Sequence, residues 1–199
     1  MSTIAILDYG SGNLRSAARA FATSGDDVIL TSDAKVALEA DGLVVPGVGA
    51  FAACMKGLDL VHAREIIAAR YADARPTIGI CIGMQVLFAD SDENGIHEGL
   101  AIWPTSVRKL HAQVLPHMGW NTVQTQSNSS LFAGVEGESF YFVHSYAARE
   151  LPGAIQTFAT HGEKFLAAAE DGAFCATQFH PEKSGRAGLA LIKNWSKSL

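Results

Sequence analysis

Along the first ninety positions, short apolar runs alternate with stretches of helical spacing. Thr3–Leu7, Asp27–Leu30 and Gly42–Val45 read as strands, and the segments near Asn13–Ser24 and Asp33–Ala40 between them read as helices. A further helical stretch at about Val61–Ala72 leads into Pro76-Thr77-Ile78-Gly79-Ile80-Cys81. That β-branched run suits a central strand buried on both faces, and a helix is predicted after it, near Gly83–Ala89. From Ile96 to His180 the texture changes to Gly-punctuated apolar runs such as Ser139–Tyr146 and Gly172–Phe179, read as strands joined by turns. Leu189, Ile192 and Trp195, spaced three apart, predict a C-terminal amphipathic helix laid on the sheet. The βαβα order followed by a β-rich half predicts an α/β fold: a mostly parallel central sheet flanked by helices, with an antiparallel extension. No linker, repeat or low-complexity tract divides the chain, so residues 1–199 are expected to form one domain.

Composition narrows the class. With 48% hydrophobic and 18% charged residues among 199, the chain can bury a sizeable core and is not of the disordered type. Fifteen Lys and Arg against twenty Asp and Glu give a formal charge of -5, which disfavours nucleic acid or another polyanion as partner. Apolar runs fall well short of the roughly 20 residues that span a bilayer, and the N-terminus lacks the charged and apolar regions of a secretory signal. A soluble cytoplasmic protein is expected. Cys54, Cys81 and Cys175 are odd in number and widely spaced with no CxxC, which favours reduced thiols over a disulfide framework or a zinc ribbon.

Three segments carry candidate chemistry. Gly79-Ile80-Cys81-Ile82-Gly83 stands between a predicted strand and a predicted helix, the context of a nucleophile elbow with Cys in the nucleophile position. Small neighbours let the backbone bend tightly there, and a following helix N-terminus lowers a thiol pKa and offers the Ile82 amide as an oxyanion donor. A buried structural Cys between packing glycines is the alternative, and partner residues must decide. Phe179-His180-Pro181-Glu182 offers a base and an orienting carboxylate. In an extended chain positions i and i+2 share a side, so Glu182 could hold the His180 imidazole toward Cys81; an ordinary surface His is the alternative. Val45-Pro46-Gly47-Val48-Gly49 reads as a strand end breaking into a Gly-rich turn, whose amides either face an oxyanion or merely end the strand.

Together these segments resemble the signature regions of class I glutamine amidotransferases, and the resemblance runs the whole chain. Asp8-Tyr9-Gly10-Ser11-Gly12-Asn13-Leu14, Pro116-His117-Met118-Gly119-Trp120-Asn121 and Tyr141-Phe142-Val143-His144-Ser145-Tyr146 are similar, within that class, to the glutaminase subunits of imidazole glycerol phosphate synthases of histidine biosynthesis. The resemblance implies that Cys81 attacks the glutamine carboxamide, His180 shuttles the proton to ammonia and Glu182 orients His180. It implies Gly49, Gln85, Ser145 and Tyr146 as glutamine-binding positions, and the Val48 and Ile82 amides as oxyanion donors. It further implies that the Gly47-Val48 peptide reorients on activation, with Val48 not donating in the resting form. The implied partner is a (β/α)8 cyclase subunit in a heterodimer, with Asn13, Trp120, Asn121, Tyr141 and Lys183 near it. Another class I glutaminase, such as that of pyridoxal phosphate synthase, and a Cys-His peptidase on a related fold are the competing readings.

Other features add little. Gly10-Ser11-Gly12 departs from a dinucleotide fingerprint, because Arg15 stands where the third glycine belongs. The remaining histidines show no metal-ligand spacing, so neither a metal nor a cofactor is expected. Cys54 and Cys175 read as small buried apolar residues. Phe140, Tyr141 and Phe142 read as a core strand, and Trp120 as an exposed interface anchor.

Overall fold

A computed structural model describes all residues, Met1–Leu199. In chain order the elements are β1 (Thr3–Leu7), α1 (Leu14–Phe21), β2 (Asp27–Thr31), α2 (Ala34–Glu39), β3 (Gly42–Gly47), α3 (Phe51–Leu60), α4 (Ala63–Ala72), β4 (Thr77–Cys81) and the one-turn α5 (Ile82–Gln85). There follow β5 (Phe88–Ser91), β6 (His97–Glu98), β7 (Trp103–Lys109), β8 (His117–Thr122), β9 (Ser139–His144), β10 (Tyr146–Ala148), β11 (Ile155–His161), β12 (Glu163–Asp171), β13 (Phe174–Thr177) and α6 (Gly185–Ser196).

Seven strands form the main sheet in the order β11-β12-β13-β4-β3-β1-β2. From β13 to β2 every pairing is parallel, whereas β11, β12 and β13 pair antiparallel. Helices cover both faces of the parallel part, which is why β3 and β4 are apolar without alternation and wholly buried. This is the α/β architecture expected from the sequence. A four-stranded sheet, β10-β7-β5-β6, and the two-stranded β8-β9 ribbon pack beside it, an organisation that sequence texture alone did not resolve. One continuous hydrophobic cluster runs through the main sheet, its helices, β5, β7, β9 and β10.

Two local expectations are corrected and one unassigned segment is filled in. The predicted helix near Gly83–Ala89 ends at Gln85, because Val86 and Leu87 turn their carbonyls to the Leu100 and Trp103 amides and Phe88 enters a strand. Phe51–Leu60 forms a helix that the sequence reading left unassigned; its N-cap residue, Ala50, offers no side-chain cap, and the Glu93 carboxylate accepts from the Phe51 amide instead (2.6 Å). On α6 the buried face is Gly188, Leu191, Ile192 and Trp195, with Leu189 turned partly to solvent, as a 3.6-residue period requires.

Arg70 of α4 is fully buried and bonds to Thr77 Oγ1 and to the carbonyls of Ala37, Leu38, Ala40, Asp41 and Pro76. It thereby satisfies carbonyls at the end of α2 and fastens that helix to the start of β4. Burial lowers its pKa to about 10, which leaves the guanidinium charged at neutral pH.

Candidate active site

Cys81 ends β4 and caps α5 with φ 56° and ψ -110°, a left-handed backbone at a residue that is not glycine. Two glycines make the bend possible. A Cβ on Gly79 would lie 2.5 Å from the Gly83 carbonyl oxygen, and one on Gly83 would collide with the Val45 carbonyl oxygen. The sharp turn lifts the Cys81 side chain to the C-terminal end of the parallel strands, where a cavity of about 390 Å³ opens. α5 starts at Ile82, so its first amides have no partners within the helix.

His180 reaches the same cavity from the loop after β13. The loop is held in place by the His180 amide donating to the Tyr141 carbonyl (2.9 Å). The Ser184 hydroxyl donates to the His180 carbonyl (2.6 Å) and accepts from the Tyr141 amide (3.0 Å). Pro181–Lys183 forms a 3-10 turn, not the extended chain expected from the sequence. Proline suits the first position of that turn, having no amide hydrogen to satisfy. The expected contact forms all the same, with His180 Nδ1 2.8 Å from Glu182 Oε1 and the two side chains only 2% and 4% exposed. Nδ1 therefore carries the hydrogen, and Nε2 is buried with no hydrogen-bond partner. Burial opposes the charged imidazole, but the Cys81 thiol and the Glu182 carboxylate outweigh it and push the pKa up to about 9.

Val48, Gly49, Ile82, Gln85, Ser145 and Tyr146 all line the cavity with Cys81 and His180. The fold thus brings the triad, oxyanion and glutamine-binding candidates to one place. Val48 is 40% exposed, and its amide donates to Ser11 Oγ (3.1 Å) while that hydroxyl donates back to the Val48 carbonyl (2.8 Å). An amide so engaged is not free for an oxyanion. Gly49 follows with φ 91°. Gln85 is buried, and its amide nitrogen donates to the Tyr146 carbonyl (2.8 Å) and to Gln178 Oε1 (2.9 Å), leaving Oε1 buried and unpartnered.

Of the partner-facing candidates, Lys183 lines the cavity, whereas Asn13 lies beside Pro46, His180 and Glu182 in a small crevice behind the triad. Trp120, 59% exposed, meets Tyr141 edge-on across the β8-β9 ribbon, ring centroids 6.2 Å apart. Asn121 is half-buried and bonds to His117 and to the Thr160 carbonyl. Phe140 and Phe142 are core residues as expected. Sequence reasoning missed Glu93, the only carboxylate lining the cavity, and Gln178, whose amide nitrogen is 3.8 Å from Cys81 Sγ. Neither stands in a motif. Cys54 is buried and touches Ser11 Oγ (3.3 Å), and Cys175 is half-buried. No cluster of three or more His, Cys, Asp or Glu side chains could hold a metal ion, and no helix is long and apolar enough to cross a membrane.

A strained Cys at a strand-to-helix elbow, a buried His-Glu pair and a Gly-rich strand end on this fold define a class, and the family model of class-I glutamine amidotransferases matches residues 5–198. The chain belongs to that family. Within it, the chain groups with imidazole glycerol phosphate synthase HisH subunits. It is 56% identical to the Nocardia farcinica subunit (99% of this chain, 98% of that one) and 54% identical to the Mycobacterium bovis subunit (99% and 98%). The Thermobifida fusca subunit is 53% identical over 98% of each. Among solved structures, a glutamine amidotransferase matches with a TM-score of 0.77 at 16% identity (97% and 98% covered), and PurLQS from Thermotoga maritima with 0.70 at 18% (100% and 97%). At such identities these two establish the fold.

Proposed function

We propose that the chain is the glutaminase subunit of an imidazole glycerol phosphate synthase and that Cys81, His180 and Glu182 carry its chemistry. The observation that carries the residue assignment is the convergence of the Cys81 elbow and the His180-Glu182 pair on one cavity with Gln85. The Cys81 sulfur attacks the side-chain carbonyl carbon of glutamine, its proton already held on Nε2 of His180, which is an imidazolium below about pH 9. The oxygen becomes an oxyanion that the Ile82 amide stabilises. Collapse breaks the C–N bond as the imidazolium protonates the leaving nitrogen, giving ammonia and a thioester. Water, deprotonated by His180, then cleaves the thioester to glutamate and the free thiol. Gln85 Oε1 and Glu93 supply acceptors for the amide and ammonium hydrogens of the substrate.

The second oxyanion donor, the Val48 amide, is engaged by Ser11 in the chain alone. Full activity therefore requires that peptide to reorient when a (β/α)8 cyclase partner is docked and loaded, which keeps glutamine from being wasted. Ammonia made at a covered interface stays unprotonated and nucleophilic until the cyclase consumes it. Three free thiols fit a reducing cytoplasmic compartment.

The test is ammonia and glutamate release from glutamine by the chain alone and with a histidine-pathway cyclase plus its ribonucleotide ligand. Turnover is expected to be slight alone and to rise at least a hundredfold in the full mixture, a gain of the size that one oxyanion donor contributes, ~10²–10³. Cys81→Ala is expected to abolish it while leaving the fold intact. A cyclase without effect would overturn the partner assignment, and activity retained in Cys81→Ala would overturn the nucleophile.

A further inference from the structure

Two buried histidines, His117 and His144, take no part in the proton transfers above, yet both are tied into the site. His144 Nδ1 lies 3.0 Å from the Tyr146 carbonyl oxygen, an atom that can only accept, so Nδ1 carries the hydrogen and Nε2 is a lone pair. His117 Nδ1, 3.0 Å from that lone pair, must then be the donor. His117 Nε2 is left as an acceptor, filled by the Asn121 amide nitrogen at 3.2 Å, which also donates to the Thr160 carbonyl at 3.0 Å. Carbonyl oxygens at both ends thus fix every hydrogen in the chain Asn121→His117→His144→Tyr146. A charged imidazole anywhere in it would set two donors against each other. Burial holds both rings neutral, with His117 lowered to about 4 and His144 to about 3. His117 is clamped by stacking on Phe142 and His161, at centroid distances of 4.9 and 4.3 Å.

The Tyr146 carbonyl that ends this chain is also the acceptor for the Gln85 amide nitrogen. Both hydrogens of that nitrogen are then used, on Tyr146 and Gln178, and Gln85 Oε1 is the atom left without a partner. We propose that the Asn121-His117-His144 chain is a positioning device for glutamine: it holds the Tyr146 carbonyl and, through it, the one orientation of the Gln85 amide that presents an acceptor to the substrate. His117 is a positioning residue, not a catalytic one, since it does not reach the cavity. The inference rests on the glutaminase reading of the site.

The test uses the complex with the cyclase and its ligand, and compares His117→Phe with His117→Asn. Phenylalanine keeps the ring volume and stacking but removes the donor; asparagine keeps an N–H near the Nδ1 position but leaves a void. The expected result is a KM for glutamine raised about tenfold in His117→Phe, the cost of one buried hydrogen bond, with kcat changed less. His117→Asn should stay near the wild-type KM although it is the less stable protein by thermal unfolding. A KM that follows stability, worse in Asn than in Phe, or one unchanged in both, overturns the proposal. Nitrogen-15 spectra of the chain give a readout independent of activity, and His144 is expected to carry its hydrogen on Nδ1 alone. A hydrogen on Nε2 overturns the chain even where no glutaminase activity is found. Absence of activity with the tautomer as assigned places the failure in the glutaminase reading.

Discussion

Glu182 shows how far one side chain governs the site's response to pH. Burial opposes the charge on His180, but the Cys81 sulfur and then the Glu182 carboxylate outweigh it and lift the pKa from 6.5 to about 9. A folded-state pKa above the unfolded one stabilises the fold fully below pH 6.5, and that contribution is lost as pH rises through about 9. The partnered wild-type enzyme is therefore expected to lose glutaminase activity above pH 9, as the imidazolium that protonates ammonia disappears. In Glu182→Gln the alkaline limb should move toward neutral pH and the rate fall roughly 10²-fold or more; pH–rate profiles of the two proteins check this, and an unmoved limb contradicts it. Urea titrations should show the stability gap between them widest below pH 6.5 and narrowing toward pH 9. Cys81, His180 and Glu182 were legible in the sequence because elbow and HPE segment are each contiguous. Glu93 was not, because it reaches the site from the turn between β5 and β6 and only folding makes it a neighbour; Gln178, although two residues from His180, carries no motif that marks it.

At the level of elements, the β4-α5 junction depends on absent side chains. Gly83→Ala would drive a methyl group into the Val45 carbonyl of the neighbouring strand, and a cost of about 3 kcal/mol or failure to fold is expected. Gly134→Ala is the comparison: φ is 77° there but nothing lies within 4 Å, so the cost should be only the left-handed backbone, about 1 kcal/mol. Urea midpoints of the two variants measure the difference; equal losses would mean that the Val45 backbone gives way and close packing does not make Gly83 necessary. Strands buried on both faces were legible as apolar runs, and so was the parallel order they imply. The one-turn length of α5 was not, since Val86-Leu87-Phe88 is apolar in either state and only pairing with the segment around Leu100–Trp103 makes it extended. Phe51–Leu60 was equally silent, because the carboxylate at its N-terminus comes from Glu93, 42 residues on.

Seen whole, the β8-β9 ribbon, whose β9 strand ends at the cavity with Val143 and His144, carries exposed apolar side chains on its outer row. Met118 and Trp120 are 63% and 59% exposed and alternate along β8 with the buried His117, while Val48 stands 40% exposed at the end of β3. Alternation along β8 turns one row into the core and its neighbours outward, so the ribbon that carries the histidine chain inside also carries Trp120 outside. A large amphipathic ring held edge-on against Tyr141 is pre-oriented and loses little entropy on docking. Trp120→Ala is expected to weaken association with the cyclase by about thirtyfold or more, ~2 kcal/mol at an anchor of this type, chiefly through faster dissociation. Because most of the ring is in solvent, the melting temperature of the isolated chain should hardly move. Glutaminase activity of the variant should return when the cyclase is raised to saturation, since none of the hydrogen bonds that hold His180 and the Gln85 amide runs through the Trp120 side chain. Titration calorimetry beside thermal unfolding decides the matter: a melting temperature that falls in step with affinity would make Trp120 a folding residue, and activity that stays low at saturation would mean that it also transmits the signal releasing the Val48 amide from Ser11.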